Sequence, residues 1–465
     1  MRTGHAGQTT GDLLPSHPAV DRVLPVSCSA NLGEGLAVAD VLALWHSEGL
    51  AAARSHWASL RPGARPLKPL EQELELRLAG APGPRLLLDG LWFCRPLGGI
   101  GRVWQQVLGC WSLPGLITPQ APLCLIDRDS HLALTSRFEL IAAAHADPLD
   151  WGAVAAATTA NAELARRWQA EVFVSSWISS CGDQPQAAVP ELALVHDCIP
   201  ERSQVPDELT HLRRRWLLGA KAQLAVSAAT ANDIEQLRQL PAGAVPWCHP
   251  AADPLFAATA QAPGADRLWH ALCSRLGLRE PFVLLPGTSR LGSYKNPELV
   301  ARALAAVPGL QLVLCGNSAK AAREELEQAM PALAGRCLSV TFTEPELALA
   351  YRQAMAVVVP SHVEGFGLPA LEAAAAGGLV IVADSRGLRE AAGEAGLRVQ
   401  ANEPQQLMAL LQALQDPATR RWMNQRLQPR RQQRLRRSSP HLLGLSLLAA
   451  ARALAGKRDS VSAPM

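Results

Sequence analysis

From residue 281 onward, short apolar runs alternate with segments of helical periodicity. The apolar runs are "PFVLLPG", "LQLVLCG", "LSVTFT", "AVVVP" and "LVIVAD", and the segments between them include "NPELVARALAAV" and "AKAAREELEQAM". Short strands rich in leucine and β-branched residues, each followed by a helix, are typical of a parallel sheet covered on both faces. The pattern predicts a Rossmann-like α/β domain over residues 281–425.

An earlier region repeats this alternation. Its predicted strands are "PRLLLDG", "EVFVSS", "LALVHDC" and "AQLAVS", and its predicted helices include "NAELARRWQA" and "TANDIEQLRQL". These elements indicate a second Rossmann-like domain over residues 84–255. Small residues and prolines follow, which predicts a hinge or linker over residues 256–280.

The two ends of the chain lie outside this pattern. Residues 1–83 contain a helical candidate, "GLAVADVLALWHSEGLAAARSHWASL", and carry no recognisable chemistry. Packing on the N-terminal domain, contact with another protein, and disorder of the first twenty residues all remain open. Residues 426–465 form a basic tail followed by "PHLLGLSLLAAARALAG", which predicts a terminal helix.

Composition narrows the class of protein. The 465 residues are 48% hydrophobic and 18% charged, as in a soluble globular protein, and the net charge of +3 is too small to indicate nucleic acid. No basic-apolar leader and no long apolar run are present, which predicts a cytoplasmic protein. The ten cysteines have no metal-ligand spacing, so we expect neither disulfides nor a zinc site.

The candidate chemistry lies in residues 357–384, "VVVPSHVEGFGLPALEAAAAGGLVIVAD". Pro369 suits the first position of a helix, because the amide that proline lacks has no partner there. The preceding glycines allow close approach of a ligand, and the amides at residues 367, 368 and 370 predict an anion site at the helix N-terminus. Glu364 and Glu372 flank this turn, so they are expected to hold different hydroxyls of one elongated ligand.

The stretch "PSHVEGFGLPALEAAAAGG", with seven residues between its glutamates, resembles the retaining glycosyltransferases of family four, which have the GT-B fold. Further similar stretches occur in the family's order: "LLLDG", "GGIGR", "VHDCIPE", "LAVSAATANDI", "PFVLLPGTSRLGSYKN" and "LALAYRQAMAVVVPS". The resemblance covers about residues 84–425. It implies two Rossmann-like domains that face each other across a cleft, with residues 1–83 as an extra extension. It also implies that the terminal helix within residues 426–465 packs back on the N-terminal domain.

The resemblance implies three catalytic residues. Glu364 would contact the donor sugar, Lys295 would neutralise the donor diphosphate, and His196 would hydrogen-bond the sugar near the reacting carbon. For His196, a purely structural role with Asp197 as the polar contact is the alternative.

The remaining implied roles concern donor binding. Glu372 would bind the ribose hydroxyls of the nucleotide, and no metal or other cofactor is expected. The other implied donor contacts are Gly365, Phe366, Gly367, Leu368, Gly287 and Arg290, and a glycine loop formed by Gly98, Gly99 and Gly101 would approach the diphosphate and the acceptor.

The chain departs from the family at one point of the diphosphate site. Many members have an arginine directly after the glycine that ends the "VLLPG" strand, where this chain has Thr288. Arg290, two positions on, is expected to substitute for it. Tyr351 has helical spacing with Leu347, which predicts a core position rather than base stacking.

Residues 420–437, "RRWMNQRLQPRRQQRLRR", hold eight arginines and no acid. This segment has three alternative interpretations: first a solvated helix face, then attraction to anionic lipid, and last nucleic-acid binding. Nucleic-acid binding comes last because the segment has no aromatic residue apart from Trp422. If Arg430, Arg431, Arg434, Arg436 and Arg437 share one helix face, they predict peripheral binding at the inner face of a membrane.

The sequence thus predicts a retaining hexosyltransferase that uses a nucleotide sugar, with mannose as the most plausible sugar. Its acceptor would be a hydroxyl of a glycan or lipid-linked glycan, and no nucleic-acid partner is expected. The rivals are a non-catalytic scaffold that binds nucleotide sugar and another GT-B enzyme, such as a sugar-nucleotide epimerase or a phosphorylase.

Overall fold

The computed structural model describes residues 35–60, 66–131, 138–182, 189–202 and 208–462. The predicted disorder of the first twenty residues lies outside these ranges. Two six-stranded sheets, each with only parallel pairings between strands, form the architecture, in the orders β3-β2-β1-β4-β5-β6 and β12-β11-β10-β7-β8-β9. The predicted GT-B arrangement of two Rossmann-like domains is confirmed.

The first sheet and its helices follow three helices of the N-terminal extension. Their bounds are α1 Leu36–Glu48, α2 Leu50–Leu60, α3 Pro69–Ala79, β1 Leu86–Asp89, α4 Gly99–Trp111, β2 Leu123–Asp127, β3 Glu139–Ala142, α5 Trp151–Arg167, β4 Val172–Ser175, β5 Glu191–Val195, α6 Ile199–Arg202, α7 Glu208–Gly219, β6 Ala222–Ala225 and α8 Ala228–Arg238.

The second sheet follows two connecting helices. The bounds are α9 Pro254–Ala260, α10 Ala265–Leu276, β7 Phe282–Leu285, α11 Pro297–Ala305, β8 Gln311–Cys315, α12 Ala319–Ala329, β9 Cys337–Val340, α13 Glu344–Gln353, β10 Ala356–Val359, α14 Leu368–Ala375, β11 Val380–Ala383, α15 Arg386–Ala392, β12 Leu397–Val399, α16 Pro404–Gln415, α17 Pro417–Arg436 and α18 Leu442–Ser462.

The central strands of both sheets are fully buried, as their unbroken apolar sequences require. β1 pairs with β2 and β4, and β10 pairs with β7 and β11, so the middle of each sheet has neighbours on both sides. Helices cover the faces and leave the carboxyl ends of the strands as the place where loops gather. The two candidate loops after β5 and β10 arise at such ends.

Residues 256–280, expected as a linker, are mostly helical. They include α10 and most of α9, and both helices pack on α13 of the C-terminal domain. The ring of Phe256 lies 5.7 Å from that of Tyr351, and Trp269 stacks on Phe282 at 5.5 Å. Its proline and small residues predicted a linker, but apolar side chains such as Phe256 and Trp269 pack the segment against the C-terminal domain.

The N-terminal extension packs on the N-terminal domain. One helical candidate becomes two helices, α1 and α2, because Gly49 has a φ of 93° and ends the first. Trp45 Nε1 donates to the carbonyl of Pro114 at 2.9 Å, and buried Glu73 on α3 pairs with Arg77 and Arg452. The extension is thus part of the hydrophobic core rather than a separate unit.

The terminal helix α18 packs against α4 and α3. Gly444 permits this contact, since a Cβ there would lie 2.6 Å from the Cβ of Cys110. Trp111 Nε1 donates to the carbonyl of Gly444 at 2.9 Å. The C-terminal segment therefore crosses back to the N-terminal domain, and no helix in the described ranges is long and apolar enough to span a bilayer.

The arginine-rich segment does not present the predicted cationic face. Arg431 and Arg434 are buried, whereas Arg436 is exposed. Arg431 donates to the carbonyls of Gly377 and Gly378, and Arg434 donates to backbone carbonyls at the end of α15. The condition that all five arginines share one helix face is not met, because Arg431 and Arg434 are buried against backbone carbonyls of the C-terminal domain.

Candidate functional site

The loop that carries Glu364 runs from the end of β10 to the start of α14. Gly367 is the residue before the helix and has a φ of 111°, in the region that glycine adopts without strain. A Cβ at this position would lie 2.5 Å from a methyl group of Leu388. One amide of the predicted anion site is already used, because Ala370 N–H donates to the carbonyl of Gly367 at 3.0 Å.

Glu364 and Lys295 are brought together. Lys295 Nζ donates to Glu364 Oε1 at 2.7 Å, and Ser361 Oγ donates to the same oxygen at 2.7 Å. Burial acts to lower the pKa of Lys295, but attraction to Glu364 and Tyr294 outweighs it and the pKa is raised. A cation and an oriented carboxylate therefore meet at the edge of the C-terminal sheet, and both belong to one domain.

Glu372 has different surroundings. Its side chain is only 1% exposed, and it accepts from Tyr351 Oη at 3.3 Å and from Arg102 Nη1 at 3.4 Å. Burial raises the pKa of this carboxyl, and Arg102 opposes that effect. Tyr351 is buried as the sequence predicts, but its hydroxyl also positions Glu372, which the helical pattern does not reveal.

Arg102 belongs to the other domain. It follows the glycine loop at the start of α4, and its Nε donates to Glu344 Oε1 at 2.7 Å. A Cβ at Gly98 or Gly99 would meet nothing within 4 Å, whereas one at Gly101 would lie 3.0 Å from Leu97. Space therefore remains beside Gly98 and Gly99, and Arg102, which follows the loop, contacts the opposite domain.

His196 lies at the carboxyl end of β5. Its Nε2 is buried and has no partner among the described residues, and burial lowers its pKa to about 4. Asp197 is engaged, since its Oδ1 accepts from Ile199 N–H at 3.0 Å and from Arg213 at 3.4 Å. Asp197 keeps 25% of its side chain exposed, so the geometry leaves the polar contact open between the two residues.

The loop after β10 touches the N-terminal domain through its backbone. The carbonyl of Gly365 accepts from Ser227 Oγ and from Thr230 Oγ1, the latter at 3.1 Å. A Cβ at Gly365 would lie 1.8 Å from the carbonyl oxygen of His196. Glycine is required here because the two domains meet backbone to backbone.

A second contact between the domains lies beside the first. Glu390 on α15 accepts from the amides of Ala228 and Ala229 at 2.8 and 2.7 Å, and from His249 Nε2 at 2.8 Å. The ring of Phe366 lies 4.9 Å from that of His249. Phe366, like Leu368, is buried, so the predicted donor contacts at these positions fall to the backbone.

The residues after β7 form the expected turn but not the expected arginine contact. Gly287 has a φ of 63°, and Thr288 is buried, with its Oγ1 donating to the carbonyl of Leu285 at 2.8 Å. Arg290 is 70% exposed and pairs with Glu325 at 2.5 Å. In this structure Arg290 does not substitute for the missing arginine, because Glu325 holds it on the outer surface.

A cavity of about 670 Å³ lies beside Glu364, between the two domains. Its charged lining comes from both sides: Arg202 and Asp233 from one domain, Arg386 and Arg389 from the other. Arg202 and Arg386 each bind Asp233 at 2.7 Å, and of these two pairs the one with Arg386 crosses the boundary between the domains. Such a polar chamber suits a ligand rich in hydroxyl groups.

Several residues that join the domains are absent from the sequence predictions, among them Arg102, Ser227, His249 and Glu390. Two of them had local signals. Arg102 directly follows the glycine loop, and Ser227 precedes a helical run as an N-cap, where its Oγ accepts from Thr230 N–H at 3.0 Å. His249 and Glu390 stand in no motif.

The sequence model of the family described as glycosyl transferases group 1 matches residues 276–429. The chain is 36% identical over 157 residues to D-inositol 3-phosphate glycosyltransferase of Corynebacterium jeikeium, which is 30% of this chain and 37% of that protein. The same enzyme of Rhodococcus erythropolis is 36% identical over 179 residues, 34% of this chain and 40% of that one. The chain thus spans less than half the length of these relatives.

Solved structures resemble the whole fold. WaaG, a glycosyltransferase involved in lipopolysaccharide biosynthesis, matches with a TM-score of 0.59 and 14% identity over 77% of this chain and 98% of its own. Sucrose-phosphate synthase from Thermosynechococcus elongatus matches with a TM-score of 0.55 and 21% identity, over 81% of this chain and 98% of its own. Anabaena HepE, in complex with UDP and glucose, matches with a TM-score of 0.54 and 16% identity. This match covers 81% of this chain and 100% of the HepE chain.

At these identities the structural likeness shows the fold, while the family match identifies the C-terminal sheet and the Glu364 loop within it. The chain is a GT-B-fold protein in which residues 276–429 match the model of the glycosyl transferases group 1 family.

Proposed function

We propose that the protein is a retaining glycosyltransferase that moves a hexose, mannose or a similar sugar, from a nucleoside diphosphate to a hydroxyl of a carbohydrate acceptor. The observation that carries the proposal is the pairing of Glu364 with Lys295 on the loop before α14, beside a polar cavity between the domains. An orienting carboxylate and a cation for a leaving diphosphate are the two groups that this reaction needs.

In the proposed reaction, Glu364 orients the donor sugar and Lys295 turns from Glu364 to the departing phosphate. The bond from the anomeric carbon to the phosphate oxygen breaks, and that oxygen takes the proton of the acceptor hydroxyl. The acceptor oxygen then bonds to the anomeric carbon on the same face, which gives retention. The close contact between the domains at Gly365 excludes water from this point and limits hydrolysis.

The donor is a nucleotide sugar in this proposal, and HepE, a structure of similar fold, is in complex with UDP and glucose. The cavity beside Glu364 is the proposed acceptor site. A glycan or lipid-linked glycan suits its polar lining, and the names of the sequence relatives add inositol 3-phosphate as a second acceptor to test.

The test begins with a panel of nucleotide sugars scored by thermal shift, because a ligand that binds only the folded state raises the melting temperature. The selected donor is then incubated with glycan and inositol-phosphate acceptors, and the linkage is read by NMR. A new α-linkage from an α-linked donor supports the proposal. Donor binding without any product would favour the scaffold, and an altered sugar without transfer would favour an epimerase.

We further propose that transfer does not depend on a metal ion, since Lys295 and the helix N-terminus supply positive charge to the diphosphate. Activity that survives EDTA supports this. Loss in EDTA with recovery in manganese or magnesium would contradict the assigned diphosphate site.

A further inference from the structure

Arg102 connects the two domains at the carboxylate expected to hold ribose. Its guanidinium lies between Glu344 and Glu372, at 2.7 and 3.4 Å, and 5.8 Å from the centre of the Phe256 ring. Its side chain is only 18% exposed, although it stands on α4 and its partners stand on α13 and α14. One cation from the N-terminal domain is thus held by two carboxylates of the C-terminal domain.

This arrangement competes with a nucleotide. Glu372 is only 1% exposed, with Arg102 on one oxygen and Tyr351 on the other, so a ribose diol reaches the carboxylate only when a neighbouring side chain moves. Arg102 is the neighbour that comes from the opposite domain. In a nucleoside diphosphate, the diphosphate is attached to that same ribose. An arginine displaced from Glu372 therefore stands beside the diphosphate, where its planar fork matches two phosphate oxygens.

The turn after β7 directs no arginine toward the cleft. Thr288 occupies the position where similar proteins have one, and it is buried against the carbonyl of Leu285. Arg290 is exposed and paired with Glu325. Arg386 and Arg389 line the cavity beside Glu364, but they are paired with Asp233 and Asp384. Of Arg102 and Arg290, Arg102 is the one that lies between the domains and contacts Glu372.

We propose that Arg102 exchanges partners, binding Glu372 when the site holds no nucleotide and the donor diphosphate when it does. The proposal rests on the proposed function, since it assumes a nucleoside diphosphate donor. It assigns a donor contact to the N-terminal domain. It also makes the diphosphate, rather than the nucleoside, the group that releases Glu372.

The test compares binding of a nucleoside with that of its diphosphate, using the base that the donor panel selects. Calorimetry is run on the full chain and on Arg102→Gln. We expect the diphosphate to bind about tenfold to a hundredfold more weakly to the variant, because a charge-assisted contact is lost. The nucleoside should bind as well or better, because Glu372 has lost its competitor.

Two further variants keep the test interpretable. Arg102→Lys keeps the charge without the fork, and should lie between wild type and Arg102→Gln for the diphosphate. Arg275→Gln removes an exposed arginine paired with Glu346 on the same helix as Glu344, and should bind both ligands as wild type does. It shows what the loss of one surface charge does.

Unchanged diphosphate affinity in Arg102→Gln, or equal losses for both ligands, would overturn the proposal, since the arginine would then be structural. A loss in Arg290→Gln without one in Arg102→Gln would assign the role to Arg290 instead. If wild type binds no nucleoside diphosphate, the proposed function fails first and this inference falls with it.

Discussion

Glu364 and Glu372 belong to the same loop and helix, yet their partners come from different places. Glu364 is bound by Lys295 and Ser361, both in its own domain, and keeps 13% of its side chain exposed. Glu372 is buried and pairs with Arg102 from the opposite domain. The first carboxylate is thus oriented whether or not the domains meet, whereas the second depends on how they meet.

The two carboxylates are therefore suited to different parts of the reaction. A carboxylate fixed within one domain suits the orientation of a donor sugar, which requires constant geometry. A carboxylate shared across the cleft suits a binding step that changes the contact between the domains.

The largest effect is expected from Gly365→Ala, which forces the two domains apart. The added Cβ would lie 1.8 Å from the carbonyl oxygen of His196 and would displace both carboxylates from their positions. We expect transfer to fall by about a thousandfold, near the upper range for loss of one oriented group. Gly109→Ala on α4 is the control, because its Cβ meets nothing within 4 Å. Equal activity of the two variants would show that the contact is not needed.

Glu364→Gln should remove the carboxylate whose partners lie in its own domain and leave Glu372 unchanged. We expect kcat to fall about a hundredfold through misplacement of the donor sugar, while nucleoside diphosphate affinity stays near that of wild type. Glu163→Gln, an exposed acid paired with Arg166, is the control. Turnover that remains unchanged with saturating acceptor would remove Glu364 from the site.

Glu372→Ala should give the reverse result. We expect nucleoside diphosphate affinity to fall about tenfold, the range of one hydrogen-bonded contact to a charged group, with a smaller effect on kcat at saturating donor. Calorimetry and initial rates separate the two effects. An unaltered dissociation constant would contradict the ribose role.

Arg434 and Arg436 offer a matched pair of arginines from the basic segment. Arg434 is buried and donates to carbonyls at the end of α15, near the contact between the domains, whereas Arg436 is exposed. We expect Arg434→Gln to lower the free energy of unfolding by about 2 kcal/mol. Arg436→Gln should change it by less than about 0.5 kcal/mol. Equal effects in urea unfolding would indicate that burial of Arg434 contributes nothing.

The smallest effect is a dependence of stability on pH. Burial raises the pKa of Glu372 in the folded protein above its ordinary value of 4.5, so the folded state keeps this proton to higher pH than the unfolded state does. The contribution of Glu372 to stability therefore decreases as the pH rises from about 4.5 through the raised pKa. Glu372→Gln should remove that part of the slope in urea unfolding at several pH values. Parallel curves for wild type and variant would contradict it.

The sequence predicted the parts of the fold that depend on local pattern. Buried strands such as β10 are runs of valine and alanine, and the loop from Glu364 to Pro369 carries the glycines and proline that its turn requires. Gly367 has the positive φ that glycine allows in such a turn, whereas Gly365 is needed for the close approach of the two domains. Each of these features is set by residues close in the chain.

The contacts between the domains had no such signal. Arg102 and Glu372 are 270 residues apart, Ser227 and Gly365 are 138 apart, and each pair forms only when both domains are folded and placed. The burial of Arg434 was unexpected for a related reason. A charge run predicts an exposed face, but one arginine in it meets helix-end carbonyls that the sequence does not mark.

The most direct test of this account is a crystal structure of the chain with the nucleoside diphosphate that the donor panel selects. We expect ribose hydroxyls on Glu372, the guanidinium of Arg102 on the diphosphate, and Glu364 still bound by Ser361. A nucleotide bound elsewhere, with Arg102 still paired to Glu372, would contradict it.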